Sequence, residues 1–295
     1  MNINTAFVNW VLLFGLVALW GTSFAATAIS VETIPPVSTA FFRLAIGALV
    51  LLIAVFASGQ RLPLSWKAWL AFTIMGIVGN ALPFFLISWG QQSVPSGVAG
   101  TIMAVMPLMT MIFAHYFTDD EKLNRFKMIG FTFGIGGVTL LMGPVFEGGG
   151  QALVGAMAIF IAATSYAANA ILVRRLPRFS PLVGACGVLI MASLTMLPFW
   201  LWHGATDIEA TQASTISVIW LGFGPTGLAT ILLFTVIGRA GPTFLATINY
   251  LIPVVAFFCG AWLLSEPVYW LHYLALLTIL GGIALTRIKP AVAPR

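Results

Sequence analysis

Ten long apolar segments, separated by short polar gaps, make up nearly all of this chain of 295 residues. Each segment has about 18 to 24 residues, enough for an α-helix rising about 1.5 Å per residue to cross a hydrocarbon layer of about 30 Å. The segments lie at 9–30, 37–57, 66–88, 94–117, 126–143, 153–173, 182–202, 216–237, 243–264 and 268–287. The pattern predicts an all-α, polytopic membrane protein of ten transmembrane helices, with the lipid bilayer as its surroundings.

Composition and charge placement agree with this prediction. With 60% apolar and 7% charged residues, the chain lacks the polar surface of a soluble globule. All of the 13 Lys and Arg residues except Arg43 lie in or beside alternate gaps. The intervening gaps contain no Lys or Arg. Their charged residues are all acidic: Glu32, Glu147, Asp207, Glu209 and Glu266. By the positive-inside rule, we expect a multi-pass protein of the cytoplasmic (inner) membrane with both termini cytoplasmic.

The net charge of +5 therefore reflects membrane topology and does not indicate nucleic-acid binding. The first segment lacks the basic flank of a signal peptide, so we expect it to be retained as the first helix.

The two halves of the chain match when one is shifted by about 145 residues against the other. The matching pairs are Thr101-Ile102 with Thr247-Ile248, Pro107 with Pro253, Glu121 with Glu266, Gly136-Gly137 with Gly281-Gly282, and Thr22-Ser23-Phe24 with Thr164-Ser165-Tyr166. Five helices per half is an odd number, so the second half must enter the membrane from the opposite side. We predict two inverted repeats, 1–147 and 148–295, joined at Gly148-Gly149-Gly150 around a central cavity. Inverted repeats are typical of secondary transporters that work by alternating access.

Short motifs at fixed places in both halves carry a family resemblance. They are Trp20-Gly21-Thr22-Ser23-Phe24, Phe42-Arg43-Leu44, Pro107, Glu121-Lys122-Leu123, Gly136-Gly137, Pro253, Glu266 and Gly281-Gly282. This combination resembles the EamA-type members of the drug/metabolite transporter (DMT) superfamily. The resemblance implies ten helices, a central cavity, and export of metabolites or drugs from the cytoplasm. Within the superfamily the chain is most similar to the YddG-type amino acid exporters, which implies export of neutral, including aromatic, amino acids.

Arg43 is the one ionised side chain placed well inside a predicted helix. A charge at the centre of a membrane helix costs about 2.5–3.5 kcal/mol, so it usually faces protein or a water-filled cavity. Arg43 either extends outward to pair with Glu32 or Glu266, or attracts the carboxylate of a substrate. The closeness of these outer acids favours the pairing. Val188 stands where the repeat would place a second arginine, so the role of Arg43 is not duplicated.

Polar and aromatic residues at helical spacing mark the expected cavity. The candidate substrate-binding residues are Trp20, Asn80, Phe84, Thr101, Met103, Ser165, Tyr166, Asn169, Thr230, Thr247 and Tyr250. The expected hinges or helix breaks are Pro83, Pro107, Pro225 and Pro253. Each polar residue could instead serve hydrogen bonds between helices. This set of residues would suit a neutral amino acid. Hydroxyls and amides could bind its carboxylate, carbonyls freed at the prolines could bind its ammonium group, and aromatic rings could contact an apolar side chain.

Two other classes of function are weighed against this interpretation. A membrane enzyme is disfavoured because the chain has no HExxH, no GxSxG and no pair of intramembrane acids. An exporter of amphipathic drugs or organic cations on the same fold is the alternative, since aromatic cavities attract cations. We expect no catalytic residue, no metal and no cofactor, and Cys186 and Cys259 are predicted to be core residues.

Two further expectations concern coupling and assembly. No carboxylate lies at midmembrane depth, so we expect flux to be driven largely by the substrate gradient. The spacing of Gly130 and Gly134 permits close helix contact, either within the chain, which we favour, or in a homodimer. Monomer and homodimer both remain open.

Overall fold

A computed structural model describes residues 3–118, 123–147, 150–175, 179–203 and 209–286. The predicted joint residues Gly148 and Gly149, and the motif residues Glu121 and Lys122, lie outside the described residues. The described part of the chain is helical and contains no strand. Its ten helices are α1 (Ile3–Val31), α2 (Pro36–Ala57), α3 (Trp66–Gly90), α4 (Ser96–Phe117), α5 (Arg125–Glu147), α6 (Gly150–Leu172), α7 (Pro181–His203), α8 (Gln212–Gly241), α9 (Ile248–Leu263) and α10 (Trp270–Thr286).

These helices confirm the predicted polytopic architecture. Seven of them, α1 to α4 and α6 to α8, are long and apolar enough to cross a membrane, and α9 and α10 are shorter apolar helices. Large apolar side chains such as Ile53, Ile216 and Leu277 are more than half exposed on the outside of the bundle. Exposed apolar side chains on hydrogen-bonded helices are what a hydrocarbon environment accepts.

The short connections make successive helices run in opposite directions, so alternate connections lie at the same end of the bundle. The two ends differ in charge. We call one end the basic end, because it carries Arg61, Lys67, Lys127, Arg174 and Arg239. We call the other the acidic end, because it carries Glu32, Glu209 and Glu266.

Contacts between the halves follow a pseudo-twofold pattern. α1 packs against α8 and α9, and its counterpart α6 packs against α3 and α4. α2 packs against α8, and its counterpart α7 packs against α3. The pairs α2 with α7, α4 with α9 and α5 with α10 join each helix to its own counterpart. These contacts between the halves thus have partners under exchange of the halves, as expected for inverted repeats.

A π-helical segment occurs in each half at the corresponding position. Residues Ile77–Ala81 of α3 and Gly222–Leu228 of α8 both depart from α-helical hydrogen bonding, and their first residues are 145 positions apart. π-helical turns inside α-helices are rare and are often found at functional sites. The symmetry of the fold therefore extends to a local irregularity.

The ninth predicted segment, 243–264, is not one continuous helix. Regular α-helix begins at Ile248, after a turn at Ala246 and Thr247. Gly241 adopts a φ of 83°, and α8 ends there. Between α8 and α9 the backbone hydrogen bonds run from residue i to residue i−3, as from the Thr247 N–H to the Phe244 carbonyl at 3.1 Å. A glycine tolerates this positive φ without steric cost, and that explains where the chain turns.

The glycines of α5 pack within the chain, as favoured from the sequence. A side-chain atom on Gly130 would collide with the Gly282 carbonyl and Thr286 of α10, and one on Gly134 would collide with Leu108. Backbone-to-backbone approach of this kind is typical of small-residue helix interfaces in membranes.

Candidate substrate cavity

A cavity of about 530 Å³ lies between the two halves. This size falls within the range of about 300–1,000 Å³ that is common for small-molecule sites. It is lined by Trp20, Ser23, Phe24, Thr27, Arg43, Asn80, Phe84, Ile87, Gly100, Met103, Ala104, Met106, Pro107, Tyr166, Leu189, Pro225, Thr226, Thr230, Leu233, Leu245, Ala246, Ile248, Asn249, Ile252 and Pro253. Eight helices contribute, and α5 and α10 pack against each other outside the lining.

Arg43 is the one charged residue of this lining. It is 7% exposed, its Nε donates to Thr226 Oγ1 at 3.0 Å, and its Cζ lies 3.8 Å from the centre of the Phe84 ring. The expected pairing with Glu32 or Glu266 is not found, since neither described carboxylate lies within 4 Å of it. Glu266 instead accepts hydrogen bonds from backbone N–H groups at the start of α4. The charge of Arg43 is therefore not paired with either of these acids, and Arg43 lines the cavity.

The π segment of α8 forms one wall of the cavity and is held by side chains. Trp20 Nε1 donates to the Pro225 carbonyl at 2.9 Å. Thr226 Oγ1 donates to the Leu221 carbonyl at 2.8 Å, and Thr230 Oγ1 donates to the Thr226 carbonyl at 2.6 Å. These three side-chain bonds are made to carbonyls within the irregular segment or directly before it.

Other parts of the lining contribute aromatic rings and amide groups. The rings of Phe84 and Tyr166 lie edge to face at 6.4 Å between centroids. Asn80 from the π segment of α3 and Asn249 from the first turn of α9 add amides. The cavity is thus mainly apolar, with a few polar groups and one cation, a composition typical of sites for small amphipathic molecules.

The structure brings part of the predicted site together in this cavity. Its lining includes Trp20, Asn80, Phe84, Met103, Tyr166 and Thr230 among the predicted binding residues, together with Arg43 and three of the four prolines. The exception among the prolines is Pro83. It lies two residues after the end of the π segment of α3, where the backbone bonding pattern is interrupted.

Five predicted residues lie outside the lining: Thr101, Ser165, Asn169, Thr247 and Tyr250. Thr101 donates to the Gly97 carbonyl of its own helix at 2.8 Å, and Ser165 donates to the Val78 carbonyl in the π segment of α3 at 2.7 Å. The Asn169 side chain lies directly against Gly79 in the same segment. Thr247 precedes the first turn of α9, and Tyr250 packs against the core around α4 and α6. The contacts of Ser165 and Asn169 join α6 to α3, the alternative that the sequence left open.

Several lining residues were not predicted, among them Ser23, Thr27 and Asn249. Ser23 and Thr27 are four residues apart on α1, as expected for one helix face. That spacing was a usable signal. Asn249 had no comparable signal, because the break before α9 sets which way its first turn faces.

Helices α1, α4 and α9 pack tightly against one another towards the acidic end. A side-chain atom on Gly21 would collide with Val255, and one on Gly100 would collide with Ala256. In α4 the first part, Ser96–Ile102, packs against α9, whereas the second part, Met106–Phe117, packs against α6. Lining residues Leu245, Ala246 and Ile248 lie towards the basic end. The described lining therefore reaches residues near the basic end, and the tight contacts of α1, α4 and α9 lie towards the acidic end.

Metal chemistry has no site among the residues that the structure describes, because these contain no group of three or more His, Cys, Asp or Glu side chains positioned to hold an ion. Cys186 is fully buried and Cys259 partly buried in the helix packing.

Comparison with known proteins agrees with this architecture. The family model of the EamA-like transporter family matches residues 9–143 and, separately, 153–288. One solved crystal structure superposes with a TM-score of 0.69 at 21% identity, covering 95% of this chain and 97% of that one, which shows a shared fold.

Curated relatives match over nearly their whole length. The uncharacterized inner membrane transporter YedA of Escherichia coli is 25% identical over 96% of this chain and 94% of its own. The uncharacterized transporter YoaV of Bacillus subtilis is 24% identical over 92% of this chain and 94% of its own. A probable amino-acid metabolite efflux pump of Escherichia coli is 25% identical over 92% of each chain.

Proposed function

The chain belongs to the EamA-like transporter family, and from this premise we propose that it exports neutral amino acids, including aromatic ones, or related metabolites by alternating access. The observation that carries the proposal is the cavity itself. It combines apolar and aromatic walls with Arg43 and a few hydroxyl and amide groups. A relative of similar length is described as a probable amino-acid metabolite efflux pump, which supports the same substrate class.

The direction of transport follows from the proposed orientation. The basic end faces the cytoplasm under the positive-inside rule, and both termini are then cytoplasmic. The cavity lining reaches Leu245 and Ala246 near the basic end, which supports an inward-facing state that loads substrate from the cytoplasm. The name of one relative places that relative in the inner membrane, which supports the same location here.

Alternating access would use the two halves, 1–147 and 148–295, as units that exchange roles. In the outward-facing state, α1, α4 and α9 would separate at the acidic end. Their counterparts α6, α9 and α4 would pack together at the basic end. Inverted repeats make two such states comparable in energy.

Counterflow into proteoliposomes tests the substrate class. The panel consists of labelled phenylalanine, leucine, glutamine, glutamate and lysine, with tetraphenylphosphonium as an organic cation. Saturable flux of the neutral amino acids, blocked by unlabelled competitor, is expected. Flux of tetraphenylphosphonium alone would contradict the proposal in favour of a drug exporter.

Cysteine labelling in intact cells tests the orientation. Gln92→Cys at the acidic end and Ser65→Cys at the basic end are matched reporters, because both native side chains are exposed. With Cys186 and Cys259 replaced by alanine, a membrane-impermeant maleimide is expected to label position 92 in intact cells and position 65 only after lysis. The reverse pattern would invert the proposed topology.

A further inference from the structure

We infer that Arg43 is the receptor for a substrate carboxylate, so that the cavity selects carboxylate-bearing molecules and disfavours organic cations. This inference rests on the proposed function and specifies the chemistry of the same cavity. Its basis is a buried cation that faces the cavity without a carboxylate partner among the described residues.

The unpaired charge is the first argument. Ions inside membrane proteins are usually paired, because an isolated charge is expensive to remove from water. The described cavity lining contains no Asp or Glu, and Thr226 offers only a neutral oxygen to Arg43 at 3.0 Å. An anionic group on the ligand would supply the missing partner.

The geometry of the guanidinium is the second argument. Arginine carries five N–H donors, and the bond to Thr226 accounts for one of them, the Nε–H. The two terminal nitrogens form the planar fork that binds a carboxylate through two parallel hydrogen bonds. Thr226 fixes the orientation of this fork, as a positioning residue should.

Backbone packing explains how Arg43 reaches Thr226. A side-chain atom on Gly47 of α2 would collide with Thr226, and one on Gly222 of α8 would collide with Ile46 and approach the Arg43 carbonyl. The two glycines let α2 and α8 approach closely beside the π segment. The close packing of α2 and α8 therefore holds the Arg43 side chain against Thr226, and the side chain does not extend towards the acidic end.

The aromatic ring beside Arg43 argues against a cationic ligand. Phe84 receives the guanidinium on its face, with Cζ 3.8 Å from the ring centre. That face is occupied by a cation of the protein itself and cannot also hold a ligand cation. A positively charged drug would meet Arg43 without a compensating acid in the described lining, whereas the rings of Trp20 and Tyr166 remain for an apolar side chain.

Competition by analogues tests the inference on the wild-type protein. Labelled phenylalanine counterflow is measured against 3-phenylpropionate, which lacks the ammonium group, and against phenylalaninamide, which lacks the carboxylate. A charge-assisted bidentate pair predicts that the amide competes about 10- to 100-fold more weakly than phenylalanine, while 3-phenylpropionate keeps more of the affinity. Equal competition by the amide would overturn the inference, and would leave amino acid export standing.

Substitutions locate the selectivity. Arg43→Gln is expected to abolish the preference for phenylalanine over its amide, and Arg43→Lys to retain part of it, because lysine keeps the charge without the planar fork. Arg239→Gln is the matched control: its Nε also donates to a side-chain oxygen of another helix, Asn9 Oδ1 at 3.1 Å, but it does not line the cavity. Full selectivity in Arg43→Gln would overturn the assignment, and if that variant does not fold, the wild-type analogue series decides.

Failure of the proposed function is separately visible. If wild-type protein carries no amino acid, export of amino acids is refuted, and the inference is then decided by thermal stabilisation with 3-phenylpropionate. Stabilisation that Arg43→Gln loses and Arg239→Gln keeps supports the carboxylate receptor. Absence of stabilisation in the wild type overturns it.

Discussion

The Glu266 carboxylate accepts a hydrogen bond of 2.9 Å from the backbone N–H of Gly97, in the first turn of α4. Its other oxygen accepts from Ser96 N–H, so one side chain from the connection after α9 caps a helix of the first half. A carboxylate at a helix N-terminus satisfies free N–H groups and interacts favourably with the helix dipole. This contact joins the two halves at the acidic end.

Removal of this cap should loosen the acidic end. Glu266→Ala is expected to lower the free energy of unfolding by about 1–2 kcal/mol, since two backbone donors lose their acceptor. It should also raise labelling of Thr27→Cys by an impermeant maleimide added from the acidic side, in a background without native cysteines. Glu209→Ala is the control, because Glu209 is an exposed acid at the same end. Unchanged labelling in Glu266→Ala would show that the cap does not contribute to the seal.

Widening one helix contact should have a similar effect by steric means. Gly100→Ala introduces a methyl group that collides with Ala256, where α4 meets α9. We expect this variant to favour the outward-facing state and to raise maleimide labelling at position 27 from the acidic side. Gly136→Ala, which meets no atom within 4 Å, should leave labelling unchanged. Equal labelling of the two variants would refute a role for this contact in closure.

Loss of the indole N–H of Trp20 should slow transport while the aromatic wall is kept. Trp20→Phe removes the bond to the Pro225 carbonyl, which is worth about 1 kcal/mol in net stability. We expect a lower maximal rate in counterflow and a lower unfolding temperature. Trp262→Phe serves as the control, since that indole is 78% exposed. A maximal rate equal to that of the control would make the bond to α8 irrelevant to transport.

Asn249 should contribute to substrate binding although its sequence context did not indicate it. Asn249→Ala removes an amide from the cavity lining and is expected to weaken substrate binding about 10-fold, as for loss of one buried hydrogen bond. The half-saturation constant in counterflow measures this effect. Gln92→Ala removes an exposed amide at the acidic end and should not change it. An unaltered constant in Asn249→Ala would mean that the substrate does not reach this end of the cavity.

Flux should depend little on an imposed pH gradient, because the described cavity lining contains no Asp or Glu that could carry a proton with the substrate. Coupling to one proton would change the accumulation ratio about tenfold per pH unit, since one unit corresponds to about 1.36 kcal/mol. We expect the steady-state ratio of a neutral amino acid to remain near unity with a gradient of one unit and with a protonophore added. A ratio that follows the gradient would establish proton coupling.

The sequence predicted the fold well because its signals are strong and local. Segment length and hydropathy locate each helix. The uneven distribution of Lys and Arg predicts which connections lie at the same end of the bundle. The repeat seen in pairs such as Pro107 and Pro253 predicted two inverted five-helix halves. The break between Gly241 and Ile248 was missed, since an apolar segment looks the same whether or not its first turns are continuous.

The site was predicted in part, and the misses share one cause. In a membrane helix that is apolar on all sides, periodicity does not tell which face meets lipid, a neighbouring helix or a cavity. Trp20 and Tyr166 line the cavity, whereas Ser165, adjacent to Tyr166, faces α3. The partner of Arg43 was also beyond the sequence, because it depends on how closely α2 approaches the π segment of α8.

The matching π segments in α3 and α8 bear on the history of the chain. A π turn arises when one residue is inserted into an α-helix, and two independent insertions at positions 145 residues apart would be a coincidence. One ancestral five-helix unit that already carried the insertion accounts for both. Duplication then copied the irregular turn, and the two copies now differ in sequence: Asn80 corresponds to Pro225, and Ala81 corresponds to Thr226, the hydroxyl partner of Arg43.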